Sequence, residues 1–178
     1  MASPLVLVLG GTRSGKSRFG LERATNLAAG GPVTFLATAL PGDEELDDRI
    51  ARHRRARPAD WPTVEVGRDL PRAMAGVPSE AVVLLDGLTL WLSALAGDEI
   101  RDVDGLLDGP VAAGLAALGA HSGGVVVVSD EVGLGTVPGD PLTRAFRDLQ
   151  GITHQRLAAA ADEVHLLVAG LPVTLKPR

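Results

Sequence analysis

Residues 5–17 have the sequence LVLVLGGTRSGKS. The first five are a short, wholly apolar run, which is typical of a buried strand, and residues 16–29 are predicted to form a helix. The turn between them matches the pattern G-x-x-x-x-G-K-[ST] in the strand–turn–helix setting that the pattern requires. The segment is therefore predicted to be a P-loop, a turn whose backbone N–H groups surround nucleotide phosphates.

Each residue type in this turn has a physical reason to be there. The glycines let the backbone curl, so that successive N–H groups point at phosphate oxygens, and the start of the helix adds a partial positive charge. Lys16 is expected to reach the β- and γ-phosphates, and the Ser17 hydroxyl to bind Mg²⁺. The alternative is a Gly-rich turn that contains a lysine by chance, which is rare in a chain with 15 arginines and 2 lysines. The predicted nucleotide-binding residues are Gly10, Gly11, Thr12, Arg13, Ser14, Gly15, Lys16 and Ser17.

Short apolar runs alternate with helical stretches along the chain, and this alternation predicts an α/β fold with a mostly parallel sheet covered by helices on both faces. We expect one domain over residues 1–178, closed by a C-terminal hairpin. Residues 97–109 are acidic and uninformative, and lead into a helix that ends near residue 119. The other predicted strands are residues 33–37, 63–66, 81–85, 125–128, 163–168 and 173–176, and the other predicted helices are residues 44–57, 69–75, 88–96 and 141–161.

Composition excludes several classes of protein. The net charge is −5, which argues against a general nucleic-acid binder, and the absence of cysteine excludes disulfides and thiolate metal sites. We find no apolar run near the roughly 20 residues of a membrane span and no signal peptide pattern at the N-terminus. The sequence thus predicts a cytoplasmic protein that binds neither nucleic acid nor membrane.

The carboxyl ends of parallel strands meet at one edge of a sheet, where ligands bind. Asp86 follows an apolar strand and is the predicted second magnesium ligand beside Ser17, with capping of the next helix as the alternative. Asp130 and Glu131 follow another strand at the same edge. They could position metal or accept a hydroxyl proton, and capping or ion pairing is an equally good interpretation.

An arginine-rich segment, residues 49–57, surrounds His53 with five arginines. One interpretation is a solvated basic helix that offsets the acidic residues before it. The other is that the arginines neutralise phosphate charge and keep His53 neutral, so that His53 attacks a nucleotide α-phosphate. Chemistry alone leaves both open. Of the other histidines, His121 is expected in an exposed turn, while His154 lies on the long helix and faces either the site or water.

Several blocks resemble the bifunctional adenosylcobinamide kinase/adenosylcobinamide-phosphate guanylyltransferase family of cobalamin biosynthesis. They are LGGTRSGKS, RIARHRRARPADWPTVE, LLDGLTLWLS, DEVGLGTVP and FRDLQGITHQRLAAAADEV, and together they cover most of the chain from Leu5 to Lys176. The resemblance implies that a nucleoside triphosphate, ATP or GTP, phosphorylates the corrinoid adenosylcobinamide. GMP from GTP then passes through a guanylylated histidine to adenosylcobinamide phosphate.

The same resemblance implies residue roles and an assembly. His53 matches the guanylylated histidine, so that His53 and Lys16 are the expected catalytic residues. A RecA-like P-loop NTPase fold and a homotrimer are also implied. The sequence departs from the commoner pattern at Arg52, Ala94, Asp130 and His154. The further residues implied in the nucleotide site are Thr38, Ala39, Leu40, Arg54, Arg55, Ala56, Arg57, Glu65 and Asp86.

Two other functions remain as alternatives. A P-loop kinase of a small metabolite would bind nucleotide equally well but would form no nucleotidyl adduct. A GTP-dependent switch would usually carry an N-K-x-D motif that binds guanine. Because the second lysine, Lys176, lies in Leu-Lys-Pro-Arg, that motif is absent.

Overall fold

The computed structural model describes residues 4–39 and 57–178. Within these ranges the chain forms a seven-stranded sheet in the order β3-β2-β4-β5-β1-β6-β7. Every neighbouring pair is parallel except β6–β7, which is antiparallel. The strands are β1 (Leu5–Gly10), β2 (Val33–Ala37), β3 (Thr63–Glu65), β4 (Val82–Asp86), β5 (Val125–Asp130), β6 (Glu163–Val168) and β7 (Leu171–Lys176).

Helices cover both faces of the sheet. Successive strand residues point to opposite faces, so each buried strand contributes side chains to a core on either side. In β1, Val6 and Val8 belong to the core on the side of α1, whereas Leu7 belongs to the core beneath the other helices. All three side chains are fully buried. The helices are α1 (Lys16–Ala28), α2 (Leu70–Ala75), α3 (Leu88–Ala96), α4 (Val103–Leu106), α5 (Ala112–Gly119) and α6 (Pro141–Ala160).

The uninformative segment contains a helix that the sequence did not predict. Asp102 caps the start of α4, since its side chain accepts a hydrogen bond from the Gly105 amide at 2.8 Å. A wide turn at Leu107–Val111, with non-helical backbone at Gly109 before Pro110, then joins α4 to α5. Proline disfavours helical backbone at the preceding residue, which explains the break.

The sheet order places the functional segments side by side. A single strand, β5, lies between β1, which leads into the P-loop, and β4, which ends at Asp86. The parallel register pairs Gly10 with Asp130, so the P-loop begins level with the end of β5. The predicted α/β fold with a C-terminal hairpin is confirmed. The helix predicted over residues 44–57 lies, apart from Arg57, outside the described residues.

Candidate nucleotide site

The P-loop turn has the backbone that its sequence predicts. Gly15 has φ of 92°, a left-handed conformation open to glycine at little cost, and α1 begins directly after it. The Ser14 amide donates a hydrogen bond to the Gly11 carbonyl at 3.2 Å, which closes the turn. Within the described chain, the buried Ser14 hydroxyl has no hydrogen-bond partner. A buried hydroxyl in a P-loop without a protein partner fits a site that receives phosphate oxygens.

Lys16 lies inside this turn with 7% of its surface exposed. Its Nζ donates to the Gly11 carbonyl at 3.1 Å and lies 2.6 Å from Oδ1 of Asp130. Asp130, which the sequence left open between several roles, is thus an ion-pair partner of the P-loop lysine. The ammonium is thus held against the turn by one carbonyl and one carboxylate.

Ser17 and Asp86 meet although 69 residues separate them, since the Ser17 hydroxyl donates to Oδ1 of Asp86 at 3.1 Å. The next residue, Gly87, has φ of 117°, and its carbonyl accepts a hydrogen bond from the Thr38 hydroxyl at 2.8 Å. The α3 N-cap is Gly87, with no side-chain cap bond. The helix-capping alternative for Asp86 is therefore wrong, and its carboxylate faces the P-loop.

This pair fits magnesium chemistry. Mg²⁺ prefers oxygen ligands and is usually held by one or two protein groups together with phosphates and water. Across residues 4–39 and 57–178 no group of three or more His, Asp or Glu side chains is arranged to hold a metal ion. Ser17 and Asp86 thus place a hydroxyl and a carboxylate, oxygen groups of the kind that Mg²⁺ prefers, beside the P-loop.

Other residues that the resemblance implied lie along β2 and β3. Thr38 is buried directly after β2, and the register sets Ala37 level with both Asp86 and Glu65. Arg57 instead contacts the middle of β2, with its guanidinium 4.2 Å from the centre of the Phe35 ring. The structure thus brings Thr38 and Glu65 to the edge that holds Asp86. The expected nucleotide-site residues Leu40, His53, Arg54, Arg55 and Ala56 lie outside the described residues.

A polar network lies behind the end of β5, and sequence reasoning missed most of it. His154 is 7% exposed, and its Nε2 lies 2.8 Å from the Ser129 hydroxyl. Its Nδ1 lies 3.7 Å from Oε2 of Glu131, an electrostatic contact longer than a hydrogen bond. Burial lowers the pKa of His154, and the charges of Glu131 and Asp130 partly oppose this effect.

Thr89 and Gln150 complete the network. The Thr89 hydroxyl accepts hydrogen bonds from the Asp130 amide and from Nε2 of Gln150, both at 3.0 Å, and it lies 3.2 Å from the Ser129 hydroxyl. Gln150 also donates to the Asp130 carbonyl. The only sequence signal was the spacing of Gln150 and His154, four residues apart on one helix face.

The other two described histidines lie away from this edge. His121, expected to be exposed, is half-buried, and its Nε2 lies 2.7 Å from the carbonyl of Ala81, the residue just before β4 begins. His165 lies 3.2 Å from Glu163, which also pairs with Arg23. Both histidines have structural partners.

Solved structures show the class of fold. Flagellar accessory protein FlaH from Methanocaldococcus jannaschii superposes with a TM-score of 0.56 at 14% identity, covering 99% of this chain and 80% of that one. A KaiC-like protein, PH0186, from Pyrococcus horikoshii gives a TM-score of 0.51 at 16% identity, with coverage of 93% and 71%. At these identities the likeness concerns the fold alone, and the fold is that of the P-loop NTPases.

Sequence comparison is more specific. The chain belongs to the CobU family, described as cobinamide kinase / cobinamide phosphate guanyltransferase, whose profile matches residues 6–175. Protein CobP of Pseudomonas aeruginosa, a bifunctional adenosylcobalamin biosynthesis protein, is 45% identical over 177 residues, covering 96% of each chain. The CobU protein of Salmonella typhimurium, of the same description, is 38% identical, covering 97% of this chain and 99% of its own. The resemblance found in the sequence blocks is therefore confirmed.

Proposed function

We propose that the protein phosphorylates adenosylcobinamide with ATP or GTP and then transfers GMP from GTP to adenosylcobinamide phosphate. The observation that carries the proposal is the contact of Ser17 with Asp86 beside the buried Lys16, in a chain that the family profile matches over residues 6–175. This arrangement suits phosphoryl transfer, in which catalysis consists mostly of positioning and charge stabilisation.

In the first reaction the acceptor hydroxyl oxygen bonds to the γ-phosphorus while the bond to the β–γ bridging oxygen breaks. The products are the phosphorylated corrinoid, a nucleoside diphosphate and a proton. Lys16 supplies positive charge to the phosphates, and the backbone N–H groups of residues 10–17 hold them. Ser17 and Asp86 would hold Mg²⁺, which would neutralise part of the phosphate charge.

In the second reaction His53 attacks the α-phosphorus of GTP and pyrophosphate leaves, forming a phosphoramidate with GMP. The phosphate of the corrinoid then attacks the same phosphorus and releases His53. A covalent intermediate splits one difficult transfer between two anions into two in-line steps. Arg54, Arg55 and Arg57 would neutralise the charge on the α-phosphate while pyrophosphate leaves.

The deciding experiment needs no corrinoid. Incubation with Mg²⁺ and α-labelled GTP, followed by denaturation and peptide mass spectrometry, should place a GMP adduct on His53. His53→Asn should abolish the adduct while GTP binding persists, and the matched control His121→Asn should form it at the normal rate. An adduct that survives His53→Asn would remove His53 from the mechanism. No adduct in the unmodified protein, with GTP binding intact, would favour the alternative kinase without a guanylyl step.

The same proposal includes the cellular location and the oligomeric state of the enzyme. It is a cytoplasmic homotrimer in which each chain is one P-loop domain. No helix within residues 4–39 and 57–178 combines the length and apolarity needed to cross a bilayer. The apolar residues exposed on edge strand β7 support an assembly of several chains, because such a surface is commonly covered by another protein.

A further inference from the structure

We propose that Glu131 accepts the proton of the acceptor hydroxyl in the kinase reaction, and that His154 is the positioning residue that orients the Glu131 carboxylate. This inference rests on the proposed kinase function and adds two residues to it. Neither residue belongs to the P-loop or to the Ser17–Asp86 pair.

Glu131 lies where an acceptor bound beside the P-loop could reach it. Its amide donates to the carbonyl of Gly10, the first P-loop residue, at 3.0 Å. The preceding carboxylate, Asp130, is already engaged by Lys16 at 2.6 Å. Glu131 keeps 21% of its side chain exposed, so that a substrate can approach it. One Glu131 oxygen accepts a hydrogen bond from the Gly133 amide at 2.6 Å, which restricts the carboxylate.

The hydrogen-bond chain behind β5 determines the tautomer of His154. The Thr89 hydroxyl oxygen already accepts from the Asp130 amide and from Gln150, so its own hydrogen is donated to Ser129. Ser129 accepts this bond and donates its hydrogen to Nε2 of His154 at 2.8 Å. A neutral imidazole that accepts at Nε2 carries its hydrogen on Nδ1. That N–H faces the Glu131 carboxylate, with 3.7 Å between nitrogen and oxygen.

The neutral form of His154 suits this role. Glu131 and Asp130 are the charged groups whose fields act on its ring, while the neighbours on α3, β5 and α6 that bond to the network are uncharged. A neutral N–H attracts the carboxylate electrostatically across 3.7 Å without forming a full ion pair, so the carboxylate stays available as a proton acceptor. During transfer the hydroxyl proton passes to a Glu131 oxygen as the new O–P bond forms, and solvent later removes it.

Two substitutions of His154 separate positioning from structural support. In His154→Gln the longer amide reaches the former Nε2 position and keeps a partner for Ser129, but the donor facing Glu131 is lost. In His154→Asn the shorter amide places a donor near the former Nδ1 position, and Ser129 loses its acceptor. Positioning therefore predicts lower activity with retained stability for His154→Gln, and lower stability with retained activity for His154→Asn.

The test measures kcat and KM for phosphorylation of adenosylcobinamide, the Tm of each variant and the rate of GMP-adduct formation. Glu131→Gln should lower the kinase kcat about 100-fold, as expected for loss of a general base, with little change in the KM for nucleotide. His154→Gln should lower kcat about tenfold, and His154→Asn should keep it within about threefold. The matched control His121→Gln should leave kcat unchanged. The ratio of kinase to adduct rate should fall in Glu131→Gln and His154→Gln alone.

Three outcomes would overturn the inference. Kinase activity that follows Tm across the two His154 variants would make His154 a structural residue. A kinase rate near normal in Glu131→Gln would remove Glu131 as the proton acceptor. Equal loss of kinase and adduct formation in Glu131→Gln would assign it to nucleotide binding. Failure of the unmodified protein to phosphorylate the corrinoid would instead refute the proposed function itself.

Discussion

At the scale of single residues, we expect the ion-pair partner of Lys16 to influence how tightly the site binds a nucleotide. The Asp130 carboxylate lies 2.6 Å from the Lys16 ammonium, so the phosphates must compete with it for that charge. Asp130 also adds a negative charge where a polyanion is to bind. We therefore expect the pair to hold the lysine in position and, at the same time, to oppose nucleotide binding.

Asp130→Asn should strengthen binding of GTP. Removing one charge beside the phosphates is worth about 1 kcal/mol, or roughly fivefold in Kd, and titration calorimetry with a non-hydrolysable GTP analogue measures it. The control Glu80→Gln removes the same charge just before β4 begins, at the end of the strands away from the P-loop, and should leave the Kd for nucleotide unchanged. Weaker binding in Asp130→Asn would mean that the carboxylate itself contributes to the nucleotide or magnesium site.

The buried His154 makes stability depend on pH. Burial lowers its pKa in the folded protein from the usual value of 6.5, so the unfolded chain takes up the proton first as pH falls. Its contribution is fully present above pH 6.5 and is lost as pH falls toward the folded pKa. The free energy of unfolding, measured by urea titration from pH 7.5 to 5, should fall less steeply in His154→Gln than in the unmodified protein. Parallel curves would show that His154 titrates alike in both states.

At the scale of elements, the C-terminal hairpin contacts both the P-loop and the end of helix α6. The Gly170 amide in its turn donates to the Ser14 carbonyl at 2.9 Å, which ties the hairpin to the P-loop. Lys176 at its end donates to the carbonyls of Ala158 and Ala159, both at 3.2 Å, and to that of Ala161. The last carbonyls of a helix lack partners within the helix, so Lys176 caps the C-terminus of α6.

Lys176→Met should therefore destabilise the fold. The substitution keeps most of the aliphatic volume and removes charged hydrogen bonds worth about 1–2 kcal/mol in the free energy of unfolding. Urea denaturation measures the change. Arg101→Met is the control, because Arg101 forms an exposed ion pair with Glu99 and its loss should cost no more than about 0.5 kcal/mol. Equal effects in the two variants would argue against a capping role.

At the scale of the whole molecule, strand β7 leaves an apolar row on the edge of the sheet. Leu171, Val173 and Leu175 alternate along it and are 70%, 48% and 56% exposed. An unprotected edge strand with such side chains favours association, which fits the proposed homotrimer. Because the same hairpin contacts Ser14, assembly and the P-loop would share one element.

Val173→Lys should shift the proposed homotrimer toward the monomer. A charge placed in the middle of the apolar row would be buried without a partner in the assembly, and native mass spectrometry or light scattering reports the mass. Leu134→Lys is the control, because Leu134 is 82% exposed on the loop after β5. A trimer that tolerates Val173→Lys but dissociates with Leu134→Lys would place the contact on that loop instead.

The sequence by itself determined the local features. Short, mostly apolar runs predicted β1, β2, β4 and β5, and the P-loop pattern predicted a turn that only glycine at residue 15 forms easily, because these preferences act between near neighbours. It also identified the family, since its motif blocks extend along most of the chain. Helix α4 escaped prediction because its four residues, Val103–Leu106, are too few to show a helical apolar period.

Only the tertiary structure decided which distant side chains meet. Strand order brought Asp86 to Ser17 and Asp130 to Lys16, and α6 carried His154 behind Glu131. No local pattern encodes these contacts, because strand order depends on how the helices pack over both faces of the sheet. The residue types were visible in the chain from the start, but their hydrogen-bond partners, burial and charge balance exist only once the sheet has formed.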